Sequence, residues 1–288
     1  MIIYEHDMKI TAPCYIKDMP ADIYHAYTAA SNSGLKLVAR SPAHFKCAPK
    51  QKETRNMVIG SALHMAVLEP ELFYKKYTLL HGCEDRRAKE YKEAKEQFGE
   101  EFVLVSTECS RIEGIMNSVL HDREIDSLLA KPGHNELSGF SIDPETGLTC
   151  KHRFDKLLNN GIAIDLKTTV DARSDAFSRA IFNYNYHVQA AFYMDQHEWI
   201  TGIELADFIF IVVESESPYA CKMYRLDPES IDVGRATYRK ALDEYVKCKQ
   251  SGIWPAYQND GVEEISIPKW AMNKYDEQLI ETFEFVEN

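Results

Sequence analysis

Apolar and polar positions divide the chain into a helical first half and a strand-rich second half. Ser31-Asn32-Ser33 precedes GLKLVARSPAHF, which reads as a capped helix ending near Ser41-Pro42. The run MVIGSALHMAVL (57–68) is apolar with small residues and stops before Pro70, which predicts a buried helix carrying His64. Residues 84–100 are densely charged at helical spacing, as expected of a solvated helix face. Ile112, Ile115, Met116, Val119 and Leu120 predict a helix over 107–130.

The period then changes. Segments 136–142 and 147–157 flank the turn Asp143-Pro144-Glu145-Thr146-Gly147, and GIAIDLKTT (161–169) reads as a third strand. Residues 174–198 suggest a helix or a broken helix. DFIFIVVES (207–215) with ACKMYRL (220–226) suggests a strand and its hairpin partner, and a last helix spans about Pro228 to Gln250. This order predicts a mixed α/β (α+β) domain with a central sheet flanked by helices. The domain is placed at 26–255, after a weakly ordered N-terminal extension (1–25) and before an acidic tail (256–288).

The net charge is −12, which is awkward for a chain that binds polyanions. Half of it sits in the last thirty residues: Asp260, Glu263, Glu264, Asp276, Glu277, Glu281, Glu284 and Glu287 stand against Lys269 and Lys274. The seven cysteines contain no CxxC pair, which argues against a disulfide framework or a structural zinc site. No run of eighteen apolar residues exists, and the N-terminus lacks a signal-peptide pattern. A cytosolic protein with no membrane partner is expected.

The chemistry concentrates in RFDKLLNNGIAIDLKTT (153–169). Asp165 and Lys167 are two apart on a strand and share a face. A three-residue loop Asn159-Asn160-Gly161, with Gly161 left-handed, pairs 158 with 162 and sets Asp155 across from Asp165 on that face. A two-residue Asn160-Gly161 turn would put the two aspartates on opposite faces. Facing carboxylates repel, and a shared divalent cation relieves the repulsion. Magnesium suits such a site, with manganese as a substitute. A nearby amine and a metal-activated water fit phosphodiester hydrolysis. The ordinary alternative is a surface hairpin with solvated charges, but Ile162, Ala163, Ile164 and Leu166 argue for an interior strand.

Asp155…Asp165-Leu-Lys167-Thr-Thr resembles the PD-(D/E)xK nuclease signature, which implies a restriction-endonuclease-like fold. Gly60-Ser-Ala-Leu-His64 and Gln189-Ala-Ala-Phe-Tyr193 resemble two helix motifs of the branch that contains the RecB nuclease domain and lambda exonuclease. The stretches SNSGLKLVARSPAHF and GSALHMAVLEPELF are similar to RecE-type exonucleases (exonuclease VIII). The resemblance implies metal ligation by Asp155, Asp165, the Leu166 carbonyl and His64, with Lys167 positioning the nucleophilic water. It implies a further acid at Glu136 and a supporting Gln189, with Tyr193, Arg153 and Thr168 near DNA. His64, Glu136 and Tyr193 also have ordinary readings: a satisfied helix histidine, a strand-edge carboxylate and a core ring. The implied activity is removal of the 5′-ended strand of linear duplex DNA, leaving 3′ overhangs. The implied partners are three further copies in a tetrameric ring and a single-strand annealing (RecT-like) recombinase. Structure-specific or single-strand endonuclease activity, and a non-catalytic DNA-binding subunit, are the alternatives. No Walker A motif is present, so no helicase motor accompanies the site.

Overall fold

A computed structural model describes residues 1–49, 54–269 and 272–273. In chain order, β1 (Ile2–Ile3), β2 (Cys14–Lys17) and α1 (Ala21–Ala26) precede α2 (Asn32–Arg40), α3 (Pro42–Lys46), α4 (Arg55–Leu68) and α5 (Pro70–Lys76). Next come β3 (Thr78–Leu80), α6 (Lys89–Phe98), β4 (Val103–Val105), α7 (Ser106–His121) and α8 (Arg123–Leu129). The strand-rich half holds β5 (Gly133–Ile142), β6 (Thr149–Leu158) and β7 (Ile162–Thr169). It continues through α9 (Ser174–Tyr184), α10 (Tyr186–Thr201), β8 (Asp207–Glu214), β9 (Cys221–Arg225) and α11 (Pro228–Ser251).

The cap chemistry sets several of these boundaries. The Ser31 side chain accepts from the Gly34 N–H to open α2, and Ser41 does the same for α3 with Pro42 in its first turn. The predicted helix over 107–130 is two helices. Asp122 ends the first, and its carboxylate accepts from the N–H groups of Glu124 and Ile125 to start the second. The helix predicted over 174–198 is the broken one, because Asn185 stands in the left-handed region (φ 57°) between α9 and α10. Only Lys89–Phe98 of the charged stretch is helical; it buries Tyr91 and Ala94 and leaves most of its charges in solvent.

A seven-stranded mixed sheet in the order β1-β2-β5-β6-β7-β8-β9 forms the centre, with β7 and β8 parallel. The expected N-terminal extension is corrected here. Residues 14–17 form a sheet strand antiparallel to β5, and Ile16, Met19 and Tyr24 are buried with Phe140. The mixed composition hid a short strand buried on both faces. One compact unit runs from Met1 to Trp254, and a second unit begins at Pro255. Of the acidic tail, Asp260, Glu263 and Glu264 are described, while Lys274, Asp276, Glu277, Glu281, Glu284 and Glu287 lie outside the described residues.

Alternation along β8 defines the two faces. Ile211 and Val213 join a core with α4, α7 and α8, and Phe208, Phe210 and Val212 join a core with α9 and α10. In β6, Leu158 sides with the α4–α7 core and Leu157 with the α9–α10 core, as alternation requires. Phe154 should then side with Leu158, yet it packs in the α9–α10 core. The pleat therefore breaks between them. Asn135↔Lys156 and Leu137↔Phe154 flank the break, and Glu136 lies in it with a left-handed φ of 46°. A residue with a β-carbon costs about 1–3 kcal/mol there, so surrounding structure must hold it.

His152 fills the α9–α10 side of β6 among Tyr15, Phe154 and Tyr193, with ring centroids 5.7, 4.6 and 5.2 Å away. Gly139 makes the room: a β-carbon there would fall 2.2 Å from the His152 ring. Burial pushes the His152 pKa from 6.5 down to about 3, opposed by Gln196 and aided by His197. The unfolded chain therefore takes up this proton first, so stability falls as pH drops from 6.5 towards 3. Each pH unit in that window costs up to about 1.4 kcal/mol. His152→Phe should flatten this acid limb in urea unfolding followed from pH 7 to 4; coincident limbs for both proteins would contradict the assignment.

Candidate active site

The β6–β7 hairpin adopts the three-residue register. Leu157 pairs with Ala163, Lys156 pairs with Ile164, and Gly161 takes φ 81°. One further step would bring Asp155 opposite Asp165, but the ladder stops. The Leu166 N–H instead donates to Asp155 Oδ2 at 2.7 Å. The strands fork at this point, and a carboxylate takes the place of a backbone acceptor.

The fork changes the expected geometry. A flat sheet would present both aspartates on one face. Here His64 of α4 approaches Asp155, with its Nδ1 3.3 Å from Oδ2, and Gln189 of α10 donates to Asp165 Oδ1 at 2.6 Å. These helices pack on opposite faces, so the two carboxylates are supported from opposite sides. The pleat break at Glu136 is the physical reason. Lys167 Nζ lies 2.5 Å from Asp165 Oδ2. That oxygen is buried and has no hydrogen bond of good geometry, despite the short ion contact. It is a strong acceptor with capacity left over.

Glu136 completes the cluster. One ligand atom each from His64, Glu136 and Asp155 lies within 4.8 Å of the others. The set mixes imidazole and carboxylate donors, which suits a divalent cation. It differs from the expected ligand set by gaining Glu136, with Asp165 beside it and tied to Lys167 and Gln189. Leu166 enters through its N–H.

Charge crowding shows in the titration of these groups. Burial, then Asp155, holds the Glu136 carboxyl up at about 7. Burial alone would depress His64, but Asp155 and Glu136 outweigh it and hold the imidazole at about 9. Burial works against the Asp155 carboxylate, yet His64 and Lys167 bring its pKa below the usual range. Asp165 is raised, by burial and by Asp155, even against the pull of Lys167. The site opens to solvent on the side of Glu136 and His64, whose side chains are 38% and 30% exposed.

The remaining predicted residues take different places. Arg153 is turned inward: Nε donates to Ser138 Oγ (2.9 Å), Nη2 donates to the Met19 carbonyl (2.6 Å), and Nη1 lies 3.8 Å from Glu136. Its guanidinium stacks over Tyr24, so it braces Glu136. Tyr193 packs its ring against His152, Phe154 and Phe208. Burial first, then Tyr24, Asp165 and Asp155, raises the pKa of its hydroxyl. Thr168 is exposed at the end of β7. Sequence reasoning missed Lys36 of α2. Its ammonium donates to the Tyr184 carbonyl at 2.6 Å, and its pKa is lowered by burial and then by Lys167. Only the fold brings it near the site.

A family model described as "PDDEXK-like domain of unknown function (DUF3799)" matches residues 31–265. No curated protein gives a significant match. The chain resembles a solved structure of a protein from Eubacterium rectale provisionally named an exonuclease, with TM-score 0.60 and 14% identity, covering 88% of this chain and 98% of that one. A phage-related exonuclease from Haemophilus somnus 129PT aligns over 80% of this chain and all of its own, with 13% identity and TM-score 0.31. At this identity the first likeness supports the fold alone.

The crowded carboxylates give a direct test. Magnesium or manganese should raise the melting temperature, by a stabilisation of about 2.7 kcal/mol at 100 times the dissociation constant. Glu136→Gln should raise the melting temperature of the metal-free protein at pH 8, because it removes a charge beside Asp155, and should shrink the metal-induced increase. A variant whose metal response equals that of the original protein would remove Glu136 from the cluster.

Proposed function

The chain belongs to the PDDEXK-like domain family, and from that membership and the site we propose that it is a divalent-metal-dependent DNA nuclease. The observation that carries the reading is the convergence of Asp155, Asp165 and Lys167 with His64 and Glu136 where β6 and β7 part. Three carboxylates and two cationic side chains in one partly buried cluster have no structural necessity. Apolar residues of similar size would fill the space at lower electrostatic cost.

Asp155, Glu136 and His64, with the Asp165 oxygen that faces Lys167, would hold magnesium or manganese. The bound cation would lower the pKa of a coordinated water and neutralise charge on the phosphate oxygens. The protein's part is placement. Gln189 fixes Asp165 by one oxygen and leaves the other turned to Lys167. The Leu166 N–H fixes Asp155. Lys167 would orient the attacking water against the phosphorus. Water adds to phosphorus as the bond to the leaving oxygen breaks, and the products are a phosphate monoester and a hydroxyl.

The finer reading follows the motif resemblance. The substrate would be linear duplex DNA, cut from the 5′ end to leave a 3′ overhang for an annealing recombinase. A ring-shaped tetramer would enclose the duplex, and enclosure would compensate for the acidic charge of the subunit.

Linear duplex labelled separately at each end tests both levels. Magnesium-dependent release should come first from the 5′ label, and covalently closed circles should resist. Asp165→Ala should abolish release, and Lys167→Ala should lower the rate by about 10²–10⁴-fold, the range for a positioned proton-transfer group. Undiminished digestion by Asp165→Ala would refute the site. Release first from the 3′ label would refute the polarity alone.

A further inference from the structure

Beyond Lys167, at the carboxyl ends of the parallel pair β7 and β8, lies a cavity of about 510 Å³. Ligands of open α/β sheets collect at such strand ends. Arg111 reaches it from α7, Arg179, Asn183 and Tyr184 from α9, Thr168 from β7 and Tyr186 from α10. Two aromatic side chains on the last turns of α9 stand largely in water: Phe182 is 74% exposed and Tyr184 is 61% exposed.

The rings form a path to the site. Tyr184 stacks near Tyr186, with centroids 5.7 Å apart at 30°. The Tyr186 ring lies 4.8 Å from Lys167 Nζ. Lys36 holds the Tyr184 backbone carbonyl at 2.6 Å and supplies another cation beside the path. Arg179 pairs with Asp175 at 3.1 Å in the open, where such a pair is worth little and exchanges readily for a phosphate. Arg173 already holds Asp171, the acid in the cavity wall.

We propose that this groove binds unpaired nucleotides of the strand being cut, with a base stacked on Tyr184 and backbone phosphates met by Arg111 and Arg179. The proposal rests on the nuclease reading and deepens it. A paired duplex keeps its bases stacked on one another and offers a protein mainly phosphates. An exposed Tyr184 ring that shares a groove with two guanidinium groups has no use there. An unpaired strand offers a π-face at every base, and alternating rings and cations follow its chemistry. The groove begins where Lys167 ends, so the strand would be separated from its complement within a few nucleotides of the scissile phosphate.

The test measures binding of a short fluorescent oligothymidylate to the full chain by anisotropy, in calcium or without metal. Tyr184→Ala should weaken it about 30-fold, the middle of the range for one lost base–aromatic stack, and Tyr184→Trp should preserve it. Arg111→Ala should lower the slope of log affinity against log salt by about one phosphate contact. Affinity for a blunt duplex should hardly change in Tyr184→Ala. Because Tyr184 is exposed, unchanged circular dichroism and melting temperature should accompany the loss. Equal oligothymidylate affinity for the original protein and Tyr184→Ala, or no binding by the original protein, would overturn the groove. A protein that binds the oligomer through Tyr184 but cuts no DNA would leave the groove standing and remove the nuclease reading.

Discussion

The mutual repulsion of Glu136, Asp155 and Asp165 is the constraint around which this domain is arranged. Each carboxylate loses solvation when buried, and the Asp155 charge makes Glu136 and Asp165 harder to ionise. The protein answers with His64 and Lys167, one cation beside each aspartate. The balance is incomplete. Glu136 is held near neutral pH, and a buried oxygen of Asp165 keeps no hydrogen bond. On the proposed reading, a divalent cation would add the further positive charge that three crowded carboxylates attract beyond His64, Lys167 and Arg153.

The repulsion shapes the backbone. In an intact sheet β6 and β7 would satisfy each other's amides, and the aspartates would face one another as bare cross-strand charges. The fork lets Asp155 accept the Leu166 N–H, so the side chain is fixed by a group already in need of a partner. The pleat break turns β6 so that α4 supports one aspartate and α10 the other. Left-handed Glu136 lies within that break, its carboxylate near Arg153, whose guanidinium is anchored to Ser138 and Met19. The N-terminal segment therefore contributes indirectly: Met19, between β2 and α1, provides one of the anchors of the arginine beside the third acid.

Local signals carried much of this into the sequence. The turn at Asn159-Asn160-Gly161 was legible, but it left two loop lengths open, and the pairing of Leu157 with Ala163 selects the three-residue one. Ser31 and Ser41 marked helix boundaries as side-chain caps, whereas the breaks at Asp122 and Asn185 emerged only in the structure. What was illegible depends on contacts far apart in the chain. The strand at 14–17 is too short to show a period, and its partner β5 lies more than a hundred residues on. The inward turn of Arg153 and the approach of Lys36 need the folded sheet. The pleat break could not be read at all, since Glu136 carries none of the glycine or asparagine signals of positive φ.

The acidic character of the chain also becomes intelligible at this scale. Net charge governs long-range attraction, but solution ions screen it within about 10 Å. A nucleic acid already held at the site meets the local charges instead. Lys167 and Lys36 lie near the fork, while Arg111 and Arg179 line the groove beyond it. In the tail, Asp260, Glu263 and Glu264 belong to the second unit, which begins at Pro255. Selectivity for a bound strand can therefore arise from the order of rings and cations along one short path. A chain that relied on bulk attraction would need a basic surface. On the proposed reading, a chain using a divalent cation, two lysines and stacked bases would need only to exclude the sites where those three do not coincide.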